Sequence, residues 1–262
     1  VWNAIVKGAG DKTVMLGLIA FGHVVPALGL VAMYPVPAWE AFPYIVASTV
    51  IHWGYYYLLN IGYRTGDLSV VYPIARGLAP VLVALGAQIW VGETLPMMAW
   101  VGILCVSFGI MVLTRNALRQ SIAMGAILSA LGTAVLIAAY SLVDGVGVRL
   151  AGTPLGYVGW LFAAEIFVAG YIFLTRWERL TALPAKTIWV GFLGGVVSGT
   201  AYGLVLYAKT LAPLGIISAL RETSVIFAAL IGVMWFGEGP KRDRIIAALV
   251  VSIGIVLIAS VS

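Results

Sequence analysis

Charged residues are scarce in this chain, and their scarcity excludes a soluble globular domain. Asp, Glu, Lys and Arg make up 10% of the 262 residues, whereas 62% are hydrophobic and the mean hydropathy is +1.07. A soluble domain carries roughly 25% charged residues and could not bury this much apolar surface. We therefore predict an all-α, polytopic membrane protein, because lipid offers no partner for the backbone N–H and C=O groups of any open structure.

Residues that carry covalent or metal chemistry are also rare. The sequence has one cysteine, Cys105, and two histidines, His23 and His52. It contains no metal-ligand spacing, no glycine-rich phosphate loop and no nucleophile–base motif. We expect no cofactor, no bound metal and no enzymatic activity. The basic residues are scattered along the loops, so nucleic acid is not an expected partner.

The start of the chain is too short for a membrane span. Six residues precede Lys7, whereas a span needs ~20 apolar residues. We interpret this stub, which contains Asn3, as the end of a first helix truncated at its start. We see no cleavable signal peptide in it.

Nine apolar runs of bilayer length follow the stub, separated by turn residues. With the stub they make ten predicted transmembrane helices. The predicted spans are Val14–Met33, Ala41–Ile61, Leu68–Trp90, Met97–Leu113, Ile122–Val143, Leu155–Leu174, Ile188–Ala208, Leu214–Phe236 and Ile245–Ser260.

Two segments of the chain are similar at an offset of 145 positions, without a gap. The aligned residues include an arginine and a Gly-Glu turn: Arg76 with Arg221, and Gly92-Glu93 with Gly237-Glu238. Chance matches in an apolar sequence rarely align such residues in one register. We predict two five-helix repeats, residues 1–115 and 120–262, in a single integrated transmembrane domain. Because five is odd, the second repeat enters the membrane from the opposite side, as an inverted repeat.

Positive charge is uneven across the predicted loops. Loops after the odd-numbered helices hold eleven Lys and Arg residues, against two in the other internal loops. The positive-inside rule therefore places the first set in the cytoplasm, so that the chain ends outside. We expect a multi-pass protein of the plasma (inner) membrane, surrounded by lipids, as a monomer or homodimer.

Two arginines lie deep in predicted spans. Arg76 is about eight residues, or ~12 Å, into its helix, and Arg221 is about seven residues into its own. An arginine at such depth costs at least ~2–3 kcal/mol unless it faces a wet cavity or a partner. We predict that both line a central pathway and bind an anionic group of substrate or protein. The alternatives are snorkelling to the headgroups and a structural ion pair.

Three ionisable residues are candidates for proton coupling: Glu222, Glu165 and His52. Burial favours the neutral form of a carboxyl group, which permits proton exchange near neutral pH, whereas arginine never releases its proton. The alternatives are an ion pair between Glu222 and an arginine of the other half, and hydrogen-bonded structural roles for Glu165 and His52. His23 suggests no function. We expect Asp144 at the membrane interface and Glu93 in a hydrogen-bonded helix end.

Tyrosines surround the predicted pathway. Tyr72 precedes Arg76 by four residues and should lie beside it. Tyr57 aligns with Tyr202 in the repeat, and we predict that both, with Tyr55 more weakly, line a pocket for an amphipathic or cationic solute. The alternative is an interfacial aromatic belt.

Two prolines, Pro73 and Pro80, flank Arg76 on its helix. Each removes a backbone hydrogen bond and tends to kink a helix. Their repeat positions hold Ser218 and Val225, so the two halves are not equivalent. We predict that the proline-bearing helix is the gate or hinge.

The Gly-Glu helix ends, together with Gly102-Ile103-Leu104 and Gly109 and the same endings in the second repeat, resemble the EamA-like branch of the drug/metabolite transporter superfamily. The resemblance implies a transporter of small metabolites, amino acids or drugs, with a central cavity and cytoplasmic termini, contrary to the loop charges. Carried over by position, it assigns substrate contacts to Asn3, Tyr57, Tyr72, Arg76, Tyr202 and Arg221.

These observations predict a secondary active transporter that moves a small metabolite by alternating access, with export favoured and proton coupling left open. The alternatives are an intramembrane enzyme acting on lipid-linked substrates and a channel. Replacing Arg76 or Arg221 with alanine is expected to abolish transport in a protein that still folds.

Overall fold

The computed structural model describes residues 9–65, 68–113, 115, 124–227 and 241–261, and all regular secondary structure in these ranges is helical. A π-helical turn at Ala87–Val91 extends the third helix. The helices are α1 (Lys12–Met33), α2 (Phe42–Thr65), α3 (Leu68–Gly86), α4 (Met97–Val112), α5 (Met124–Leu150), α6 (Pro154–Ala163), α7 (Ile166–Thr175), α8 (Trp177–Thr181), α9 (Ala185–Lys209), α10 (Leu214–Arg221) and α11 (Lys241–Ala259).

Five stretches within the described ranges are long and apolar enough to cross a membrane. They are Lys12–Met33, Val71–Val91, Met124–Leu150, Pro154–Thr175 and Ala185–Ala208. The prediction of an all-α membrane protein is therefore confirmed for the described residues. Asn3 and the Gly237-Glu238 turn lie outside the described residues.

Helix α5 is longer than predicted. The sequence predicted a span that ends at Val143 and placed the next residue, Asp144, at the membrane interface. Instead, α5 continues to Leu150. The Asp144 side chain is fully buried in the protein, and its position at the membrane interface stays a prediction. The chain turns later, at Gly152, whose positive φ of 67° suits glycine. Thr153 then caps α6 through a hydrogen bond from the Gly156 N–H (3.3 Å).

The chain divides into two compact units. Unit 1 comprises Val1–Thr49 and Val146–Thr210, and unit 2 comprises Val50–Gly145 and Leu211–Ser262. Each unit therefore takes segments from both predicted repeats.

In unit 1, α1 packs against α6, α7 and α9. Helices α1 and α9 cross where two glycines meet: a Cβ atom added to Gly22 would lie 2.2 Å from the carbonyl oxygen of Phe192, and one added to Gly195 would lie 2.2 Å from that of Ile19. Small residues permit such close approach between membrane helices.

In unit 2, α4 packs against α11 through a reciprocal glycine contact. A Cβ atom added to Gly102 would lie 2.7 Å from the Gly254 carbonyl oxygen, and one added to Gly254 would lie 2.7 Å from that of Gly102. Gly109, two turns along α4, similarly faces the Ala247 carbonyl oxygen at 3.1 Å. Residue numbers rise along α4 as they fall along α11, so the two helices run antiparallel.

The helices of the two predicted repeats begin at matching positions. Adding 145 to the first residues of α2, α3 and α4 gives 187, 213 and 242, and α9, α10 and α11 begin at Ala185, Leu214 and Lys241. By the same offset, α1 corresponds to α6 and α7 together. The starts of these three pairs of helices therefore agree with the offset of 145 to within two residues.

Candidate functional site

An ion pair is buried inside unit 2. Arg76 on α3 places Nε 2.9 Å from Oε2 of Glu222, and these side chains are only 12% and 3% exposed. The guanidinium carbon of Arg76 lies 5.8 Å from the ring centroid of Tyr72, as the spacing of four residues predicted. The Arg76 Nη2 also donates a hydrogen bond to Ser224 Oγ (3.4 Å). The ion pair seen here is the alternative considered for Glu222, and each charge compensates the burial of the other.

The backbone is interrupted at Glu222. Helix α10 ends at Arg221, and Glu222, with φ −72° and ψ −8°, donates its N–H to the Ala219 carbonyl. Residues 223–227 are helical again. One residue of an otherwise continuous apolar helix therefore departs from α-helical hydrogen bonding where the carboxylate lies.

The second arginine bonds to an aromatic group. Arg221 Nη2 donates a hydrogen bond to Tyr140 Oη on α5 (3.1 Å). The Tyr140 ring stacks on the His52 ring with centroids 4.3 Å apart, and it meets Tyr55 edge-on at 5.9 Å. We call His52, Arg76, Tyr140, Arg221 and Glu222 the arginine cluster. Four helices supply or flank it: α2, α3, α5 and α10.

A different polar group is buried in unit 1. His23 Nδ1 lies 2.7 Å from Oε2 of Glu165, and His23 Nε2 lies 2.7 Å from Ser198 Oγ. His23 and Glu165 are each 8% exposed. Ser198 Oγ is also 3.1 Å from the Gly195 carbonyl oxygen. We call His23, Glu165 and Ser198 the histidine cluster.

Local backbone features make room for the histidine cluster. Glu165 lies between α6 and α7, with φ −68° and ψ −8°, and its N–H bonds to the Phe162 carbonyl (3.1 Å). On α9, a Cβ atom at Gly199 would lie 3.0 Å from Cδ2 of His23, so glycine leaves space for the ring. The Phe162 ring covers the imidazole, with centroids 4.9 Å apart.

The remaining predicted site residues are dispersed. Tyr57 is 68% exposed. Tyr202 lies in unit 1, where its ring is 6.2 Å from Phe162 and 5.9 Å from Lys209 Nζ. Helix α3 continues through Pro73 and Pro80 to Gly86, and its hydrogen bonding changes only at Ala87–Val91. The roles proposed for these tyrosines and prolines stay predictions.

Four polar partners were missed from the sequence: His23, Tyr140, Ser198 and Ser224. Their contacts join residues far apart in the chain, which no local pattern reveals. A usable signal existed for His23 alone, since it lies within an apolar span and an ionisable residue there is a functional candidate by default.

Glu93 explains the Gly-Glu turn. Gly92 ends the π turn with a φ of 77°, which favours glycine. The next residue, Glu93, accepts a hydrogen bond through Oε2 from the Leu214 N–H at the start of α10 (2.8 Å). The predicted helix-end hydrogen bonding is confirmed for Glu93.

A carboxylate caps α1 outside its span. The N–H groups of Thr13 and Val14 donate to Asp11 Oδ1 (3.0 and 3.1 Å), and Arg179 Nη1 donates to Oδ2 (3.1 Å). Partial burial acts to raise the pKa of Asp11, but the bonds from Val14 and Arg179 outweigh it and hold that pKa below its usual value.

An all-helical membrane protein with ionic groups buried in its spans is typical of a transporter. The model of the EamA-like transporter family matches residues 124–260, which is just over half of the chain. The chain belongs to the EamA-like transporter family, as the resemblance indicated.

Solved structures show the same fold. Among solved structures, 26 chains match this chain. One of them, from a crystal structure of a protein, has a TM-score of 0.77 and 19% sequence identity, and the match covers 98% of this chain and 91% of that one. At this identity the likeness concerns the fold alone. No curated protein matches the chain.

Proposed function

We propose that this protein is a secondary active transporter that exports a small metabolite across the plasma membrane by alternating access of two inverted five-helix repeats. The observation that carries the proposal is the arginine cluster. In it, the arginine of one repeat forms a buried ion pair with a carboxylate of the other, Arg76 with Glu222 at 2.9 Å. Membrane proteins place such groups on substrate and ion pathways.

The packing of equivalent helices supports the inverted repeat. Gly254 is the repeat equivalent of Gly109, and Ala247 is the equivalent of Gly102. The contacts Gly102–Gly254 and Gly109–Ala247 are therefore reciprocal, as a two-fold axis between equivalent elements requires. Equivalent helices α4 and α11 run antiparallel, which agrees with insertion in opposite senses.

Two further pairs of equivalent helices have the same antiparallel sense. Between α3 and α10, Ala84 meets Gly215 and Arg76 meets Glu222. Between α1 and α6 with α7, Gly17 meets Ile172 and Leu30 meets Gly159. The first pair lies in unit 2 and the second in unit 1, so the sense does not depend on one contact.

The chemistry of the arginine cluster favours a zwitterionic solute such as an amino acid. A guanidinium group binds a carboxylate through two parallel hydrogen bonds. A carboxylate and the faces of aromatic rings bind an ammonium group. Arg221, Glu222 and the stacked rings of His52 and Tyr140 bring these groups together.

Flux into proteoliposomes tests the proposal. Purified protein would be reconstituted and assayed with a radiolabelled mixture of the standard amino acids, and separately with ethidium as a drug-like solute, with and without a pH gradient. We expect saturable uptake that the gradient drives. Flux that rises linearly with solute concentration would instead identify a channel, and chemical conversion of a lipid-linked substrate would identify an enzyme.

Variants of the arginine cluster test whether it binds the solute. Two variants remove charged groups from the cluster: Arg221→Gln, and the double variant Arg76→Gln with Glu222→Gln. The double variant removes both charges of the ion pair, so neither partner is left buried as an unpaired charge. We expect either to reduce uptake at least ~100-fold, since substrate-positioning groups contribute effects of that size. Arg115→Ala, in an exposed turn, is the matched control. Full uptake by both cluster variants would remove the cluster from the mechanism.

A further inference from the structure

The histidine cluster contains titratable groups that the proposed solute site does not use. We propose that it is the proton-binding site that couples transport to the proton gradient, with His23 taking up and releasing one proton between Glu165 and Ser198. This inference rests on the proposed function and names its coupling ion.

The position of the cluster suits a proton carrier. His23 is the twelfth of the 22 residues of α1, and so lies at the middle of a membrane span. Histidine exchanges its proton near physiological pH, whereas arginine does not release its own. The carboxylate of Glu222, held by Arg76, is therefore the less suitable carrier.

The hydrogen bonds are complete in both protonation states. With the proton bound, Nδ1–H donates to the Glu165 carboxylate, Nε2–H donates to Ser198 Oγ, and the Ser198 hydroxyl donates to the Gly195 carbonyl. After release, the Nε2 proton is gone and the Ser198 hydroxyl rotates to donate to Nε2. The distances of 2.7, 2.7 and 3.1 Å permit each of these bonds. Neither state strands a buried donor of the cluster, which would otherwise be costly.

The charges also suit a buried site. Protonation changes the net charge of the His23–Glu165 pair from −1 to zero, so proton uptake yields the state that a medium of low dielectric constant favours. The offset of 145 does not repeat the His23–Glu165 pair, because His23 aligns with Val168 and Glu165 aligns with Ala20.

Few ionisable side chains lie near His23. Among the described residues of α1 and of the helices packed on it, Glu165 is the ionisable group that contacts His23. Tyr202 lies one turn from Ser198 and packs on Phe162, while Lys209 lies beyond Tyr202. The other ionisable side chains on these helices are Lys12, Tyr157, Tyr171, Lys186 and Tyr207. Lys12 and Lys186 lie about eleven or twelve residues, or ~17 Å, along their helices from the cluster.

Nitrogen NMR of histidine-labelled protein tests proton binding without any solute. The chain has two histidines, and His23→Gln assigns their signals. We expect the His23 nitrogens to pass from two N–H groups to one as the pH rises from mildly acidic to mildly alkaline. Glu165→Gln removes the carboxylate that faces Nδ1, so we expect it to change the His23 signals and leave those of His52 as in the wild type. A His23 signal that stays in one protonation state across this range would overturn the proposal.

Transport of the radiolabelled amino acid mixture supplies the second readout. In Glu165→Gln and His23→Gln, accumulation driven by a pH gradient should fall about 100-fold, the usual effect of losing a positioned proton-transfer group. Exchange of solute at equal pH and concentration should remain within about twofold, because exchange needs no net proton movement. Glu178→Gln, on the exposed helix α8, is the matched control.

The outcomes separate the two proposals. Equal loss of accumulation and exchange, or loss of neither, would overturn the coupling role of the cluster. If no amino acid or ethidium is transported while His23 titrates as expected, the proposed solute class fails and the proton site stands.

Discussion

The two units each bury a glutamate at an interruption in a membrane helix, and the comparison shows how one backbone feature supports two kinds of site. Glu165 in unit 1 and Glu222 in unit 2 have nearly the same φ and ψ, −68° and −8° against −72° and −8°. Glu165 faces a histidine and Glu222 faces an arginine. In the roles proposed for these pairs, the partner of the glutamate makes the difference, because histidine can take up and release a proton whereas arginine keeps its own.

Both glutamates also mark where the two repeats differ. At the offset of 145, Glu222 aligns with Gly77 and Glu165 aligns with Ala20. The proposed two-fold arrangement of helices would thus carry ionic pairs that are not repeated. The glycine contacts of α4 with α11 agree with that symmetry, whereas the buried glutamates do not.

The largest effect should come from breaking the fixed pair. Arg76→Ala leaves Glu222 buried without its partner, so we expect destabilisation by about 3–5 kcal/mol, which revises the expectation from the sequence that this variant would fold normally. Adding Glu222→Gln should restore much of the stability. Thermal unfolding in detergent measures both. In unit 1, His23→Gln should cost less, since glutamine still offers a hydrogen bond to Glu165. Equal losses in the two units would contradict the comparison.

A steric change on α1 should have the next largest effect. Gly22→Ala places a methyl group 2.2 Å from the Phe192 carbonyl oxygen, and we expect destabilisation by about 1–3 kcal/mol because α1 and α9 must separate. Gly29→Ala on the same helix is the control, since nothing lies within 4 Å of its Cβ position. It should be neutral or stabilising by up to ~1 kcal/mol. If Gly29→Ala lowered the midpoint of thermal unfolding more than Gly22→Ala did, the close crossing next to His23 would be refuted.

Removing a helix cap in unit 2 should have a smaller effect. Glu93→Ala removes the acceptor for the Leu214 N–H, and we expect a loss of ~1 kcal/mol, typical of a helix cap. Glu40→Ala, an exposed position in the turn at Trp39–Ala41, is the control. The midpoint of thermal unfolding measures both, and an unchanged midpoint in Glu93→Ala would exclude a stabilising cap.

The smallest effect should come from the corresponding cap in unit 1. Because the pKa of Asp11 is lowered in the folded protein, its carboxylate stabilises the fold above the unfolded pKa of about 3.9, and this contribution is lost as pH falls through the folded pKa. Asp11→Asn should lower the free energy of unfolding at neutral pH by less than ~1 kcal/mol, and with it the unfolding midpoint. The difference from wild type should vanish in acid. A difference that persists there would exclude the charge as its cause.

Much of the fold was predictable because bilayer length and the repeat constrain it. The predicted starts at Leu68, Met97 and Leu214 match the starts of α3, α4 and α10. The interruption at Glu165 was missed, since no glycine or proline marks it within an apolar run.

The candidate sites were predictable only where the partners are close in sequence. The contact of Tyr72 with Arg76 follows from helical spacing. The bonds of His23 to Glu165 and of Arg221 to Tyr140 join residues 142 and 81 positions apart. Such contacts depend on tertiary packing, which the hydrophobic pattern of one chain does not specify.

The reciprocal contact of Gly102 with Gly254 ties the evolution of these two positions together. Each glycine faces the other's carbonyl oxygen at 2.7 Å from its Cβ position, so both occupy one shared gap. A methyl group at either position forces α4 and α11 apart, and the second methyl group then enters a gap that is already open. Substitutions at the two sites should therefore be strongly epistatic, with a combined penalty smaller than the sum of the single penalties.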